Sequence, residues 1–409
     1  MRRRVVITGA GLASPIGVTL DEAAAALRAG TSGIRTMPDW DRIGELRTRL
    51  AGAVPELDLR RDHPRKKLRS MGRVALLAAH ASVEATRMAG LDDAQLTSGR
   101  TGLAFGSTSG SSAALERFCG ILFTRYNLGE LSSTDYLKFM AHTCAANLAH
   151  LFAVRGRVIS TCSACTSGSQ AIGAGYEAIV LGRADAMICG GADELHFASA
   201  ATFDLMYATS TRYNDRPDQS PRPFDAARDG LVVAEGAGAL VLEALEHAKA
   251  RGAPILGEVL GYGTNCDGHH LTSPSEQGMR GAMELALADA GLTARDIDYV
   301  SAHGTATDKG DIAESLATAA VLGERVPIAS TKGQTGHTLG ACGAIESIFC
   351  LLMLRDGFLA ANRKLEDVDP RCAPLNYVRE TLEAAPRRIM NNNFAFGGVN
   401  TSLIFGRAD

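Results

Sequence analysis

The chain has 409 residues, 46% of them hydrophobic and 21% charged. That length exceeds one simple core and implies two domains or two fused halves, in an ordinary soluble globular composition. A net charge of −3 gives no electrostatic footprint for nucleic acid or an anionic membrane, and no run approaches the ~18 apolar residues of a membrane span.

The N-terminus, "MRRRVVITGAGLASPIG", begins basic and then turns apolar. Gly9, Gly11, Pro15 and Gly17 break the apolar stretch, so it reads as a strand feeding a turn rather than a signal peptide. The same stretch imitates a dinucleotide fingerprint and fails as one. Ser14 stands at the third glycine position, Pro15 sits where the helix should begin, and no acidic residue closes a second strand about 20 residues on.

Strand-like runs then alternate with helical patterns. Strands are expected at Val5–Ile7, Gly102–Phe105, Val158–Ser160, Ala186–Cys189 and Ala239–Leu242, with helices at Leu20–Ala29, Gly72–Ala89 and Gly168–Leu181 among them. The alternation repeats with a strand at Ile255–Tyr262, helix Gly278–Ala290, strand Tyr299–Ala302, helix Asp311–Val321, strand Pro327–Ala329 and helix Ala341–Arg355. A hairpin, Arg388–Phe394 with Ser402–Phe405, closes the chain. The pattern predicts an α/β fold with mostly parallel sheets covered by helices. Two halves, 1–250 and 251–409, each carry a glycine-rich strand-to-helix crossing, which points to a duplicated unit. Arg60–Arg69, "RRDHPRKKLR", is the one dense basic run, either a solvated face or a dock for an acidic partner.

Nine cysteines, an odd number without disulfide-framework spacing, point to a reducing cytoplasm. Two of them stand in "STCSACTSGSQ", Ser160–Gln170. A structural zinc site wants a second ligand pair and none is present, the spacing of Cys266, His269 and His270 being irregular. A redox pair is disfavoured by the Ser and Ala padding. Cys162 falls in the apolar run and reads as core. Cys165 falls where a strand turns into a helix, where free N–H groups and the positive helix end favour thiolate and lower the pKa. From the residues alone it is either a nucleophile or a structural cysteine.

Possible partners lie in the second half. "SAHGTATDKGD" puts His303 just past a strand end, and "STKGQTGHTLGACGAIE" puts Lys332 and His337 in a similar loop leading to Glu346. Histidines at carboxyl ends of strands, flanked by Gly and Thr, are where α/β sheets gather chemistry. In "NNNFAFGGVN", Gly397 and Gly398 allow unusual backbone angles, which suits either an oxyanion hole or a tight turn.

Together these segments, with "RPFDAARDGLVVAEGAGALVLEALEHAKARGA" (Arg222 to Ala253), resemble the β-ketoacyl-acyl-carrier-protein synthases, and within them the elongating Cys-His-His type I/II branch. The likeness covers nearly the whole chain. It implies a thiolase-like fold of two pseudo-symmetric α/β halves in α-β-α-β-α layers. It implies an acyltransferase in which Cys165 takes an acyl group from a carrier protein and condenses it with decarboxylating malonyl-carrier protein, extending it by two carbons. His303 and His337 would donate N–H groups to the enolate oxygen. Lys332, paired with Glu346, would hold His337 neutral, and the N–H groups of Cys165 and Phe396 would form the hole for the acyl oxygen. Thr305 and Thr307 match pantetheine-contacting positions. Ser109, Phe396, Gly397 and Gly398 fall in the acyl-pocket or gating segments, and Arg65, Lys66, Lys67 and Arg69 would steer the carrier.

The resemblance implies no metal and no cofactor, since the phosphopantetheine arm arrives on the substrate. It implies a dimer, either of identical chains or of ketosynthase and chain-length factor. It places the protein in the cytoplasm, with no nucleic acid or membrane partner. The pathway is fatty acid synthesis or, alternatively, a specialised one such as aryl polyene or type II polyketide assembly. The chain departs from the pattern at Ser163, where threonine is common, and at Asp308–Lys309, where many members have proline. The loop Gly106–Ser112 departs too, with Ser109 in place of a bulky gate residue. A catalytically silent partner subunit is disfavoured because Cys165 and both histidines are present, and a Cys-His-Cys or Cys-His-Asn enzyme because His337 fits neither set.

Overall fold

The computed structural model describes residues 2–57 and 65–408. The first strand extends past its apolar start to cover Val5–Ala13, and its glycines explain the false dinucleotide signal. A Cβ on Gly9 would lie 2.0 Å from the Ala85 carbonyl oxygen, and one on Gly11 2.2 Å from that of Ala81. The pair exists so that the helix Arg73–Ala89 can lie directly on the strand. The strand Gly257–Cys266 repeats the device: Gly261 and Gly263 lie under Ala286 and Ala282 of the helix Glu276–Ala290. The basic start serves the same frame, Arg3 pairing with Asp185 in the first half and Arg2 and Arg4 with Asp289 and Glu258 in the second.

Moving outward from Val5–Ala13, the strands are Gly236–Ala244, Ala186–Asp193, Thr101–Gly106 and Val158–Thr161. The pair directions run antiparallel, antiparallel, parallel, parallel. Moving the other way from Gly257–Cys266, the strands Val399–Gly406, Arg388–Phe394, Tyr299–Ser301 and Pro327–Ala329 repeat the same directions. The arrays meet where Val5–Ile7 pairs antiparallel with Gly257–Val259. The expectation of mostly parallel sheets is therefore corrected. Within this sheet parallel pairing is confined to the outer strands; the inner ones are antiparallel because Gly236–Ala244 comes back beside Ala186–Asp193 after a long excursion and Val399–Gly406 turns back beside Arg388–Phe394 through residues 395–398.

Helices Ser167–Val180 and Cys342–Asp356 pack on each other in the middle of the molecule, each also against the strands of both arrays. Arg73–Ala89 and Thr143–Phe152 cover one outer face, and Glu276–Ala290 and Asp308–Leu322 the other. This gives five layers, α-β-α-β-α. The helix Cys342–Asp356 is buried from Cys342 through Leu354, as its near-continuous apolar sequence requires. Leu20–Ala29 begins and ends where predicted, with a Thr19–Glu22 capping box and Gly30 in the left-handed conformation. Among the described residues no helix is long and apolar enough to cross a membrane.

Candidate active site

The strand Val158–Thr161 ends in a tight turn. Ala164 takes φ of +48°, Ala164–Thr166 forms a short 3-10 turn, and this runs directly into the helix Ser167–Val180. Ser167 braces the turn, its hydroxyl accepting from the Ser163 N–H at 2.9 Å and donating to the Ala164 carbonyl at 2.7 Å. Cys165 is thereby fixed at the helix start, buried between the two central helices. From the second half, the Cys342 thiol donates to the Cys165 carbonyl at 3.2 Å.

The loop after Tyr299–Ser301 carries His303. The two carboxyl oxygens of Glu314 accept the His303 and Gly304 N–H groups at 2.7 and 2.6 Å, and Asp311 accepts the Ala306 N–H at 3.0 Å, where Ala306 has φ of +62°. Both acids lie in the first two turns of Asp308–Leu322, so one helix holds the whole loop. Burial raises Glu314 to about 8 and Asp311 to about 6. His337 lies in the turn before Cys342–Asp356, and its Nε2 is 3.0 Å from Sγ of Cys165. The His303 and His337 rings meet edge to face at 5.2 Å, and the ligand-type atoms of all three residues lie within 4.8 Å of one another.

A buried ion pair stands behind them. The Lys332 ammonium bonds Glu346, and the other Glu346 oxygen accepts from Asn393 Nδ2 at 2.7 Å. Burial pulls the Lys332 pKa down, the Glu346 charge pushes it up further, and the net is upward, so the cation persists. Burial, and after it the Lys332 charge, push both His303 and His337 well below the usual 6.5, which keeps both rings neutral at pH 7. The expected lowering of the Cys165 pKa is corrected. Burial pushes the thiol up to about 12, and the opposing Lys332 charge does not overcome it. The reason is that the second half closes over the helix terminus, so the sulfur is dry.

The three residues form the buried end of a cavity of about 570 Å³ that opens past Thr305, Thr307, Phe203, Met206, Tyr207 and Phe396. The Thr305 and Thr307 hydroxyls are 2.9 Å apart. Phe396 is partly exposed and stacks obliquely on Phe203 at 5.7 Å. Gly397 and Gly398 have φ of +86° and +73°, and a Cβ on Gly398 would lie 2.3 Å from the Asp267 carboxylate. Ser109 is exposed and does not line this cavity.

Of the basic run, residues 60–64 lie outside the described residues. Arg65, Lys66 and Arg69 line a separate open cleft of about 1330 Å³, whereas Lys67 turns away and donates to the Leu151 carbonyl. Cys162, expected in the core, is exposed: it directly follows Val158–Thr161, a terminal strand of the sheet with no neighbour on one side among the described residues, and its thiol donates to the Thr108 carbonyl. Among the described residues, Cys165, His303 and His337 are also the one group of three whose atoms could hold a metal ion.

Sequence reasoning passed over Asp193, Asp311, Glu314 and Asn393. Asp193 accepts from Ser107, Thr108 and the Gly340 N–H, tying the 106–112 loop to the turn after His337, and burial raises its pKa to about 6. The available signals were acids three apart in "DKGDIAES" and a polar "NNN" inside a strand pattern, both unexpected in buried elements.

Two stacked α/β halves with a thiol and two neutral imidazoles converging at their seam define a condensing acyltransferase of the thiolase-like class. Comparison with known proteins agrees. Residues 2–248 match the model of the β-ketoacyl synthase N-terminal domain, and residues 256–366 that of the C-terminal domain. The chain is 40% identical over 407 residues to 3-oxoacyl-[acyl-carrier-protein] synthase 1 of Haemophilus influenzae, covering 99% of each. A β-ketoacyl synthase crystal structure from Burkholderia phymatum superposes with a TM-score of 0.96 at 51% identity, and the ishigamide ketosynthase/chain length factor with 0.93 at 34%, each covering 100% of both chains. The chain belongs to the β-ketoacyl synthase family and is a decarboxylative condensing enzyme.

Proposed function

We propose that this protein is a 3-oxoacyl-[acyl-carrier-protein] synthase of fatty acid synthesis, acting in the cytoplasm as a dimer on acyl- and malonyl-loaded carrier protein. The observation that carries this reading is the meeting of Sγ of Cys165 with two neutral imidazoles within 4.8 Å at the end of one cavity. In the first step Sγ attacks the acyl thioester carbonyl, its proton passes to Nε2 of His337, and the carrier thiol leaves protonated. In the second step malonyl thioester loses carbon dioxide. The enolate oxygen takes one N–H from each ring, and the carbanion attacks the acyl group on Cys165. That expels the sulfur as thiolate, which takes up one proton from solvent to regenerate the thiol, and yields a 3-oxoacyl product two carbons longer. The N–H groups of Cys165 and Phe396 hold the acyl oxygen, the Thr305 and Thr307 hydroxyls hold the amides of the arm, and Phe396 with Gly397 and Gly398 gates the acyl chain. Arg65, Lys66 and Arg69 steer the acidic carrier, so reversing Lys66 and Arg69 raises KM for carrier substrates in a salt-dependent way.

Mass spectrometry after incubation with acyl carriers of varied length tests this reading. One acyl group should load on Cys165, none on Cys165→Ala, and a near-normal amount on Cys162→Ala. Equal loss in both variants would return the pair to redox or metal chemistry. A second reading is the same chemistry in aryl polyene or polyketide assembly beside a chain-length-factor partner. The serine-rich segment 106–112, in which Ser109 is the exposed residue, and the likeness to a ketosynthase/chain length factor structure favour it. Activity of the chain purified alone would decide for the first.

A further inference from the structure

The cavity that ends at Cys165 is furnished differently at its exposed end. Lys309 lines it from the first turn of Asp308–Leu322. Among the described residues no hydrogen bond or ion pair engages the Lys309 ammonium. The charged groups that line the opening have partners, although Oδ1 of Asp229 is buried without one. Asp308 pairs with Arg371, Arg228 with Asp369 at 2.7 Å, and Asp229 accepts the Thr211 and Arg212 N–H groups at 2.8 Å each. Asp267 accepts the His269 N–H at 3.0 Å.

His270 lines the same opening, and its Nδ1 accepts the N–H groups of Thr272 and Ser273, both at 3.0 Å. A ring that accepts at Nδ1 carries its proton on Nε2 and is a donor there. The hydroxyl-bearing Thr272 and Ser273 line the cavity too. The opening thus offers an uncommitted cation, an imidazole N–H and two hydroxyls, which suits an anion with several acceptor oxygens.

We infer that Lys309 and His270 form a subsite for a phosphate ester, here the phosphodiester by which a pantetheine arm hangs from its carrier. This rests on the condensing-enzyme reading, which supplies the arm. The subsite reads the prosthetic group itself, apart from any surface of the carrier protein.

Small thioesters separate the two claims, because they carry the arm without the protein. The measurement is kcat/KM for malonyl-4′-phosphopantetheine over that for malonyl-pantetheine, which lacks the phosphate, on acyl-loaded enzyme. Taking the ratio within each variant cancels differences in the amount of folded protein. Wild type should prefer the phosphorylated substrate. Lys309→Ala should reduce the preference by roughly three- to fivefold at low ionic strength, the size of an exposed ion pair. Lys309→Arg should restore most of it, and salt should erode it in wild type. A preference equal in wild type and Lys309→Ala, or absent from wild type, overturns the subsite and leaves the reaction intact. Turnover of neither thioester by wild type would overturn the reaction itself.

Discussion

Burial and position pull the Cys165 thiol in opposite directions, and burial prevails. A helix start and a nearby Lys332 favour thiolate, yet the sulfur sits in a dry seam and holds its proton to about pH 12. Its reactivity therefore depends on a base at hand, the neutral His337 ring 3.0 Å away. Alkylation of the resting enzyme by iodoacetamide should be slow at pH 7 and climb with pH without a plateau up to about 10. An inflection near 7 would contradict the assignment. His303→Ala or His337→Ala should each lower malonyl decarboxylation by about 10²–10³, roughly 3–4 kcal/mol of barrier. The pH dependence has a definite sign. Both rings have a folded-state pKa below the unfolded 6.5, so their contribution to stability is present above 6.5 and is lost as pH falls below it. Turnover should accordingly cross pH 6.5 without a break and fall only at lower pH. Lys332→Met strands Glu346 in the interior and should cost about 3–5 kcal/mol in denaturant titration, less when combined with Glu346→Gln. The reactive residues were legible because each stands in a distinctive short motif. The exposure of Cys162 and the direction of the Cys165 shift were not, because strand order and the other half of the chain decide them.

At the scale of elements, the paired glycines are the clearest structural signal in the chain, and a misleading one when read locally. Gly9–Gly11 and Gly261–Gly263 each seat a helix on a strand, and the repetition across the halves marks the duplication better than overall sequence likeness does. Gly263→Val would drive carbon into the Ala282 carbonyl, and should cost about 1–3 kcal/mol, read as a lowered Tm. Glu314→Ala leaves two buried N–H groups unpaired and should destabilise by about 1–3 kcal/mol for each. The loop it releases carries His303, so kcat should fall as well. Alternating strands and helices were readable because their apolar runs are continuous. The helix Ser112–Arg125 was not, since none of its residues is fully buried and its half-buried apolar side rests on the short helix Ser133–Phe139, Phe118 meeting Phe139 at 5.2 Å.

Among the described residues the terminal strand Val158–Thr161 has no neighbour on its far edge, and Phe123, Tyr126, Leu128 and Tyr136 stand exposed along residues 112–139. An open strand edge and exposed apolar surface are each a place for a second copy to pair, in keeping with the dimer proposed above. Light scattering should give twice the chain mass, and Val158→Lys should shift the protein toward monomer. A wild-type monomer at micromolar concentration would refute the pairing. The seam through the middle carries a further consequence. The sulfur belongs to one half and both imidazoles to the other, and the halves join through a short run of backbone pairing and two interlocked helices. Warming that parts the halves by even a bond length separates the reactants from each other. Catalysis in this protein should consequently survive right up to its melting transition and vanish with it, leaving no temperature range of folded but idle enzyme.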